Sequence, residues 1–390
     1  MSLDALDGNA AITIKAAEKR GYDARPIQLQ IPVRHLDKPA LEITSQQIND
    51  RKSGLADGNG NGVPENNETI ELTVFVKNSG VGEALDVNLN LAAITNGVEK
   101  LQETFSIGNI EPQQTKEGKI VFRIPRTFNA AQIDYEITAE DKIGASRASR
   151  KFVEALSRRV PILAYDYRIL NAQGAPVDRI HNGGSFVLEI TPRNNGAIEA
   201  NGVNLQLAAP TGITLASASQ LIGHLAPNAA ATPARFNFTV PRSFASPNTV
   251  FRIDLSQTDF AGKQDNLTVP LTLKQPNLSE THQVVEANRN GIIEQGENVE
   301  LSFQILNTGD LEAENVRVAL DLANTGVDFR DREKLVGTIL PGRGETVKFN
   351  FFVKFSTTPG PLPLSLKITQ TDFPNVSKSI TEYAIKEVGA

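Results

Sequence analysis

The chain of 390 residues contains no cysteine and no tryptophan, only one methionine and four histidines. Without thiols there are no disulfides, thiolate zinc sites, iron–sulfur clusters or cysteine nucleophiles. Without tryptophan, and with aromatics at 6%, the flat stacking platforms common in sugar-binding clefts are missing, which disfavours direct glycan binding. Excess positive charge is also lacking. The net charge of −6 gives no basic field for nucleic acid or an anionic membrane face. No run approaches the roughly 18 apolar residues of a membrane span. Met1-Ser2-Leu3-Asp4 is not the charged start of a signal peptide, and Met1-Ser2-Leu3 reads as a leader foreign to the chain. Any native signal or anchor would then lie outside these residues.

His35, His181, His224 and His282 are scattered without a second histidine at ligand spacing, so each reads as a surface residue rather than a base or metal ligand. No Ser-His-Asp set suggests itself, and the glycines at 58, 60 and 62 do not match a dinucleotide fingerprint. The chain therefore reads as non-enzymatic.

What the sequence does contain is a long repeat. An apolar strand ends in Asn-x-Gly, followed by Glu-Ala and a second strand. This occurs at Asn78-Ser79-Gly80 with Glu83-Ala84 and Val87, at Asn194-Asn195-Gly196 with Glu199-Ala200 and Val203, and at Asn307-Thr308-Gly309 with Glu312-Ala313 and Val316. A Gly-x-apolar-x-Pro step follows each, from Gly108 to Pro112, Gly223 to Pro227 and Gly337 to Pro341. Next come strands of period two: Ile120, Phe122, Ile124; Phe236, Phe238, Val240; and Val347, Phe349, Phe351, Val353. Each repeat closes on a strand running into an acidic turn, at Ile137 to Gly144, Leu255 to Gly262 and Ile368 to Asn375. Pro39, Pro161 and Pro276 mark where each repeat opens, as suits the first residue of an edge strand.

Repeats of this length are domains rather than solenoid units, and a seven-stranded sandwich takes about 100 residues. Short alternating strands with Gly, Pro, Asn and Asp punctuation, and no helical period, predict an all-β chain of tandem immunoglobulin-like Greek-key β-sandwiches, arranged as beads on a string. The expected modules are 37–157, 158–274 and 275–390. Residues 1–36 match the tail of a module: Ile12-Thr13-Ile14 tracks Tyr135-Glu136-Ile137, and Pro26 to Pro32 supplies a last strand. They read as the final hairpin of a truncated preceding module. Such a hairpin has a bare apolar face and is expected to lie against the first full module or a neighbouring chain. In the third repeat, Phe349, Phe351, Phe352 and Phe355 are read as core, with one adjacent ring outside.

The run Asn194-Asn195-Gly196, Glu199-Ala200, Pro210-Thr211-Gly212, Ile222-Gly223-His224-Leu225-Ala226-Pro227 and Val240-Pro241 resembles the bacterial adhesion-related CARDB module. It is equally similar to the module attached to bacterial α-galactosidases. The resemblance spans all three repeats and implies an immunoglobulin-like, accessory module that is extracellular, at the cell surface or periplasmic. It carries over no catalytic residue.

One constellation bears chemistry. Asp57-Gly58-Asn59-Gly60-Asn61-Gly62-Val63-Pro64-Glu65-Asn66-Asn67-Glu68 fits the twelve-residue calcium loop. Oxygen side chains stand at positions 1, 3 and 5 (Asp57, Asn59, Asn61), glycine at 6, a backbone carbonyl at 7 (Val63), Glu65 at 9 and Glu68 at 12. A strand follows instead of a helix, so the loop would staple the opening of a sandwich rather than form an EF-hand. The third repeat keeps the pattern in Glu286, Asn288, Asn290, Ile292, Glu294 and Glu297. The second loses it, with Gly184 in the last position of Asn182-Gly183-Gly184. The expected cofactor is structural Ca²⁺ bound at roughly 10⁻⁴–10⁻³ M, as in extracellular modules. These features predict a structural or adhesive spacer of a larger secreted or surface bacterial protein. Its partners would be other domains of the same polypeptide or a surface protein. The other reading is an accessory module of a secreted enzyme that engages a ligand or partner by strand addition.

Overall fold

The computed structural model describes residues 5–389, so the reading of residues 1–4 lies outside the described residues. Every regular element among them is a β-strand. The chain divides into two compact units, 1–161 with 196–198, and 162–195 with 199–390. Three hydrophobic cores are present, one in the first unit and two in the second.

The first sandwich follows from its residue pattern. In strand Thr69–Asn78 the residues Ile70, Leu72, Val74 and Val76 are fully buried, because alternate side chains of a strand share one face. That strand pairs with Leu41–Asn49 on one side and Thr115–Arg123 on the other, and Glu99–Gln102 completes the sheet. The facing sheet runs Arg147–Ala155, Gln132–Glu140, Ala84–Ile94, Thr104–Ile110. The chain changes sheet at every step from Thr69–Asn78 to Gln132–Glu140, giving an immunoglobulin-like Greek key.

The second and third sandwiches repeat this order. Leu163–Asn171, Ser185–Asn194, Ala234–Thr239 and Thr214–Leu215 form one sheet of the second; Leu278–Glu286, Asn298–Asn307, Gly344–Val353 and Val327–Asp328 form one sheet of the third. The closing hairpins fall where the acidic turns predict them, pairing Gln132–Glu140 with Arg147–Ala155, Asn248–Ser256 with Lys263–Thr272, and Leu364–Thr369 with Val376–Ile380. Phe349 and Phe351 are core residues, whereas Phe355 is 73% exposed and its ring packs on Phe352 at 6.4 Å.

The repeated motifs resolve into specific devices. Asn307 is fully buried, with Oδ1 accepting from the amides of Asn277 and Gly309 and Nδ2 donating to the carbonyls of Leu311 and Ile339. Asn78 makes the same four bonds, to Ala40, Gly80, Gly82 and Ile110. The Glu-Ala step is a β-bulge: register shifts at Ala84/Val87 and Val87/Asn88, opposite Gly108 at φ 79°.

Of the two places expected for the leading hairpin, the first full module or a neighbouring chain, the first is not the one adopted. Gly8–Ile14 pairs with Ile27–Val33, setting Ile12 opposite Leu29 and Ile14 opposite Ile27. All four are 46–61% exposed. Its apolar face is therefore open in the described residues rather than laid on the first sandwich, and its two outer edges leave their backbone groups to water.

Candidate metal centre

The two loops share most of their hydrogen bonds. Asn59 Oδ1 accepts from the Asn61 amide at 2.9 Å, and Asn61 Oδ1 from the Val63 amide at 2.8 Å. In the third sandwich Asn288 Oδ1 accepts from Asn290 at 3.0 Å, and Asn290 Oδ1 from Ile292 at 2.7 Å. These are side-chain-to-backbone turns two residues long, which short amide side chains favour. They coil each loop so that Asn59 Nδ2 donates to Glu65 at 2.6 Å and Asn288 Nδ2 to Glu294 at 2.7 Å. Asn61 and Asn290 donate to the same carboxylates. Glu68 closes the first loop by accepting from the amides of Asn59 at 3.2 Å and Glu65 at 3.1 Å. Glu297 accepts from the Glu294 amide at 3.0 Å.

Asp57 stands apart from this group. Its side chain is 70% exposed, 3.9 Å from Lys52, while its backbone pairs with Thr69. The position that spacing assigned to it is taken by Asp50, which is 2% exposed and accepts from the Gly62 amide at 2.9 Å. Glu286 does the same to the Gly291 amide. The backbone agrees, since Gly60 donates to the Asp50 carbonyl and Arg289 to that of Glu286. Asp50 precedes Gly60 by ten positions, but Glu286 precedes Arg289 by three. The extra segment folds outward as a small turn closed by the Ser53–Ala56 bridge. A sequence signal for Asp50 did exist: an acidic residue directly ends the first strand of both sandwiches, after Asn49 and at Glu286.

Electrostatically the loops are unusual. Asp50, Glu65 and Glu68 are 2%, 6% and 3% exposed, and Glu286 and Glu294 are 4% and 5% exposed. Burial pushes the Glu68 carboxyl up to about 7. The Asn59 and Glu65 amides oppose this, and the neighbouring Glu65 and Asp50 carboxylates add to it. Arg159, at 3.2 Å from Glu65, supplies a cation to the first group. Among the described residues no three acidic or imidazole side chains stand as a ready-made metal shell. The carboxylates meet through amide groups instead.

Sequence reasoning also missed what position 10 does. Asn66 is 1% exposed; Nδ2 donates to the carbonyls of Arg126 and Arg159, and Oδ1 accepts from the Arg159 amide. The loop is thereby tied to the strand leaving the sandwich, reinforced by the parallel bridge between Glu65 and Ser157. In the third sandwich Ile293–Glu294 pairs in parallel with Ala384–Lys386. The second sandwich keeps this parallel step, Ile180–His181 beside Leu271–Thr272, while its shorter turn is organised by Asn171. Of the histidines, His282 departs from the surface reading. It is 9% exposed in its side chain, between Glu280 at 3.0 Å and Glu382 at 2.7 Å.

No helix of the described residues is long and apolar enough to cross a membrane. No family model and no curated protein matches the chain. Solved structures similar to it include a putative membrane anchored protein from Corynebacterium diphtheriae, at 10% identity over 99% of this chain and 97% of that one, with a TM-score of 0.24. A red sea bream transglutaminase is 14% identical over 57% of this chain and 31% of its own, with a TM-score of 0.23. A protein of unknown function from Porphyromonas gingivalis is 12% identical over 58% of this chain and 98% of that one, with a TM-score of 0.21. Scores this low carry no argument about activity.

Proposed function

We propose that the chain is a non-catalytic spacer from a larger secreted or surface protein, with Ca²⁺ stiffening its first and third sandwiches. The observation that carries this reading is the recurrence of one buried acidic loop at the same place in two sandwiches. Burying carboxylates together is costly unless a cation offsets them, and hard oxygen donors of this kind suit calcium. The ligand set is amended to Asp50, Asn59, Asn61, Val63, Glu65 and Glu68 in the first loop, beside Glu286, Asn288, Asn290, Ile292, Glu294 and Glu297 in the third. Each asparagine Oδ1 has a second lone pair, which could serve an ion while the bond from the backbone amide is kept. Because Asn66 and the Glu65–Ser157 bridge join this loop to the outgoing chain, an ion there would stiffen a module at its exit as well as its opening. The resemblance to CARDB-type modules supports an extracellular setting.

Calorimetric melts with millimolar Ca²⁺ and with excess EGTA test the proposal. Calcium is expected to raise the melting temperature, Asp50→Asn and Glu68→Ala to abolish the rise in the first sandwich, and Asp57→Asn to leave it intact. Equal melts in calcium and EGTA would remove the cation from the reading. Loss of the rise in Asp57→Asn alone would restore the ligand set drawn from spacing.

A further inference from the structure

Arg242 follows the strand Ala234–Thr239 of the second sandwich, yet its side chain, only 14% exposed, is spent on the third. Nη1 donates to Glu312 at 2.6 Å and Glu314 at 3.2 Å, and Nη2 donates to the Glu312 carbonyl. Asp372 lies 4.0 Å from Nε, and the guanidinium sits 5.9 Å from the centre of the Phe373 ring. Three carboxylates, a carbonyl and an aromatic face thus converge on one planar cation, an arrangement that a guanidinium fork serves and an ammonium does not.

The backbone at the same place is held independently. Asn182, 2% exposed, donates to the carbonyls of Arg242 and Lys274 and accepts from the Lys274 amide. Gln275 and Asp310 exchange bonds across the short connection. Leu311, 6% exposed, belongs to neither core, and its Cδ1 lies 3.4 Å from where a side chain on Gly183 would begin.

Domains joined by a short connection usually move relative to each other. Here removing Arg242 would do more than delete a contact. Glu312, Glu314 and Asp372, all of the third sandwich, would be left without the counter-charge that the second sandwich supplies, so the joint would lose its main side-chain tie. We infer that the second and third sandwiches form one rigid arm locked by Arg242, so that their surfaces are presented in a fixed relative orientation. This lock uses no residue of the acidic loops and is independent of any cation bound there.

The absence of native cysteine makes the test direct. Nitroxide labels are placed on the full chain at Thr268→Cys in the second sandwich and Ser379→Cys in the third, both exposed strand positions. Their separation is measured by pulsed electron paramagnetic resonance in EGTA. A single narrow distribution is expected, becoming at least about twice as wide in Arg242→Ala, as for freely hinged domains. The double variant Glu312→Gln, Glu314→Gln keeps the arginine and is expected to broaden it too; it decides the matter if circular dichroism shows Arg242→Ala to be misfolded. A broad distribution in the parent protein, or variants as narrow as the parent, would overturn the inference.

Discussion

Glu189 lies on Ser185–Asn194 with its side chain 2% exposed, bound by Arg168 at 2.5 Å and Arg235 at 2.9 Å. The Arg168 bond, with help from Arg235, holds its carboxyl below the usual carboxylate range against the effect of burial. The sign follows from linkage. A carboxyl whose folded value is depressed contributes stability above its unfolded value, about 4.3, and loses it as pH falls through the folded value. The second sandwich is therefore expected to melt progressively lower below about pH 4, and Glu189→Gln to melt lower at neutral pH but with a flatter acid dependence. Calorimetry from pH 7 to 3 reads both; parallel curves for the two proteins would refute the assignment. Glu71 with Lys119 and Glu300 with Lys348, each at 2.8 Å, place a lysine ion pair between the matching strands. Their single-point contacts give less directional hold than the arginine pair.

Among the elements, the most economical is the Asn-x-Gly turn. In sequence it looks like a loop signature; in the structure one amide ties the first strand, the turn and the bulged edge together. Replacing Asn307 by alanine orphans two amides and two carbonyls at a fully buried point, each costing about 1–3 kcal/mol if left unmet. A loss on the order of 3 kcal/mol is expected after partial relaxation. Urea unfolding of the third sandwich measures it, and a loss within about 0.5 kcal/mol, the usual range for a surface change, would show that water replaces the bonds. Landmarks that a reader would take for a binding motif are thus fold-forming, which is why the same letters recur in all three sandwiches irrespective of their loops.

For the whole molecule, the leading hairpin is the part that contributes least to packing. Ile12, Ile14, Ile27 and Leu29 form an exposed apolar face, the kind of patch that binds dyes and other chains. Removing residues 1–36 is expected to lower 8-anilinonaphthalene-1-sulfonate fluorescence while leaving the calorimetric transitions of the sandwiches in place. A drop of several degrees in the first sandwich would instead make the hairpin part of its fold.

How much was legible divides along the range of the interactions. Fold class, closing hairpins and the turns of the acidic loops were written in local patterns: strand alternation repeats every two residues, and the Asn-x-Gly turn and loop asparagines act within a few positions. What only the tertiary structure decided depends on residues far apart in the chain. Asp50 replaces Asp57 because an inserted turn displaces the spacing by which a loop is read. Asn66 shows its purpose only when Arg126 and Arg159 are brought to it. Arg242 is one more basic residue after a proline until Glu312, Glu314 and Asp372 close around it, since a short-period pattern records which face of a strand is buried but not which distant charges meet at its end.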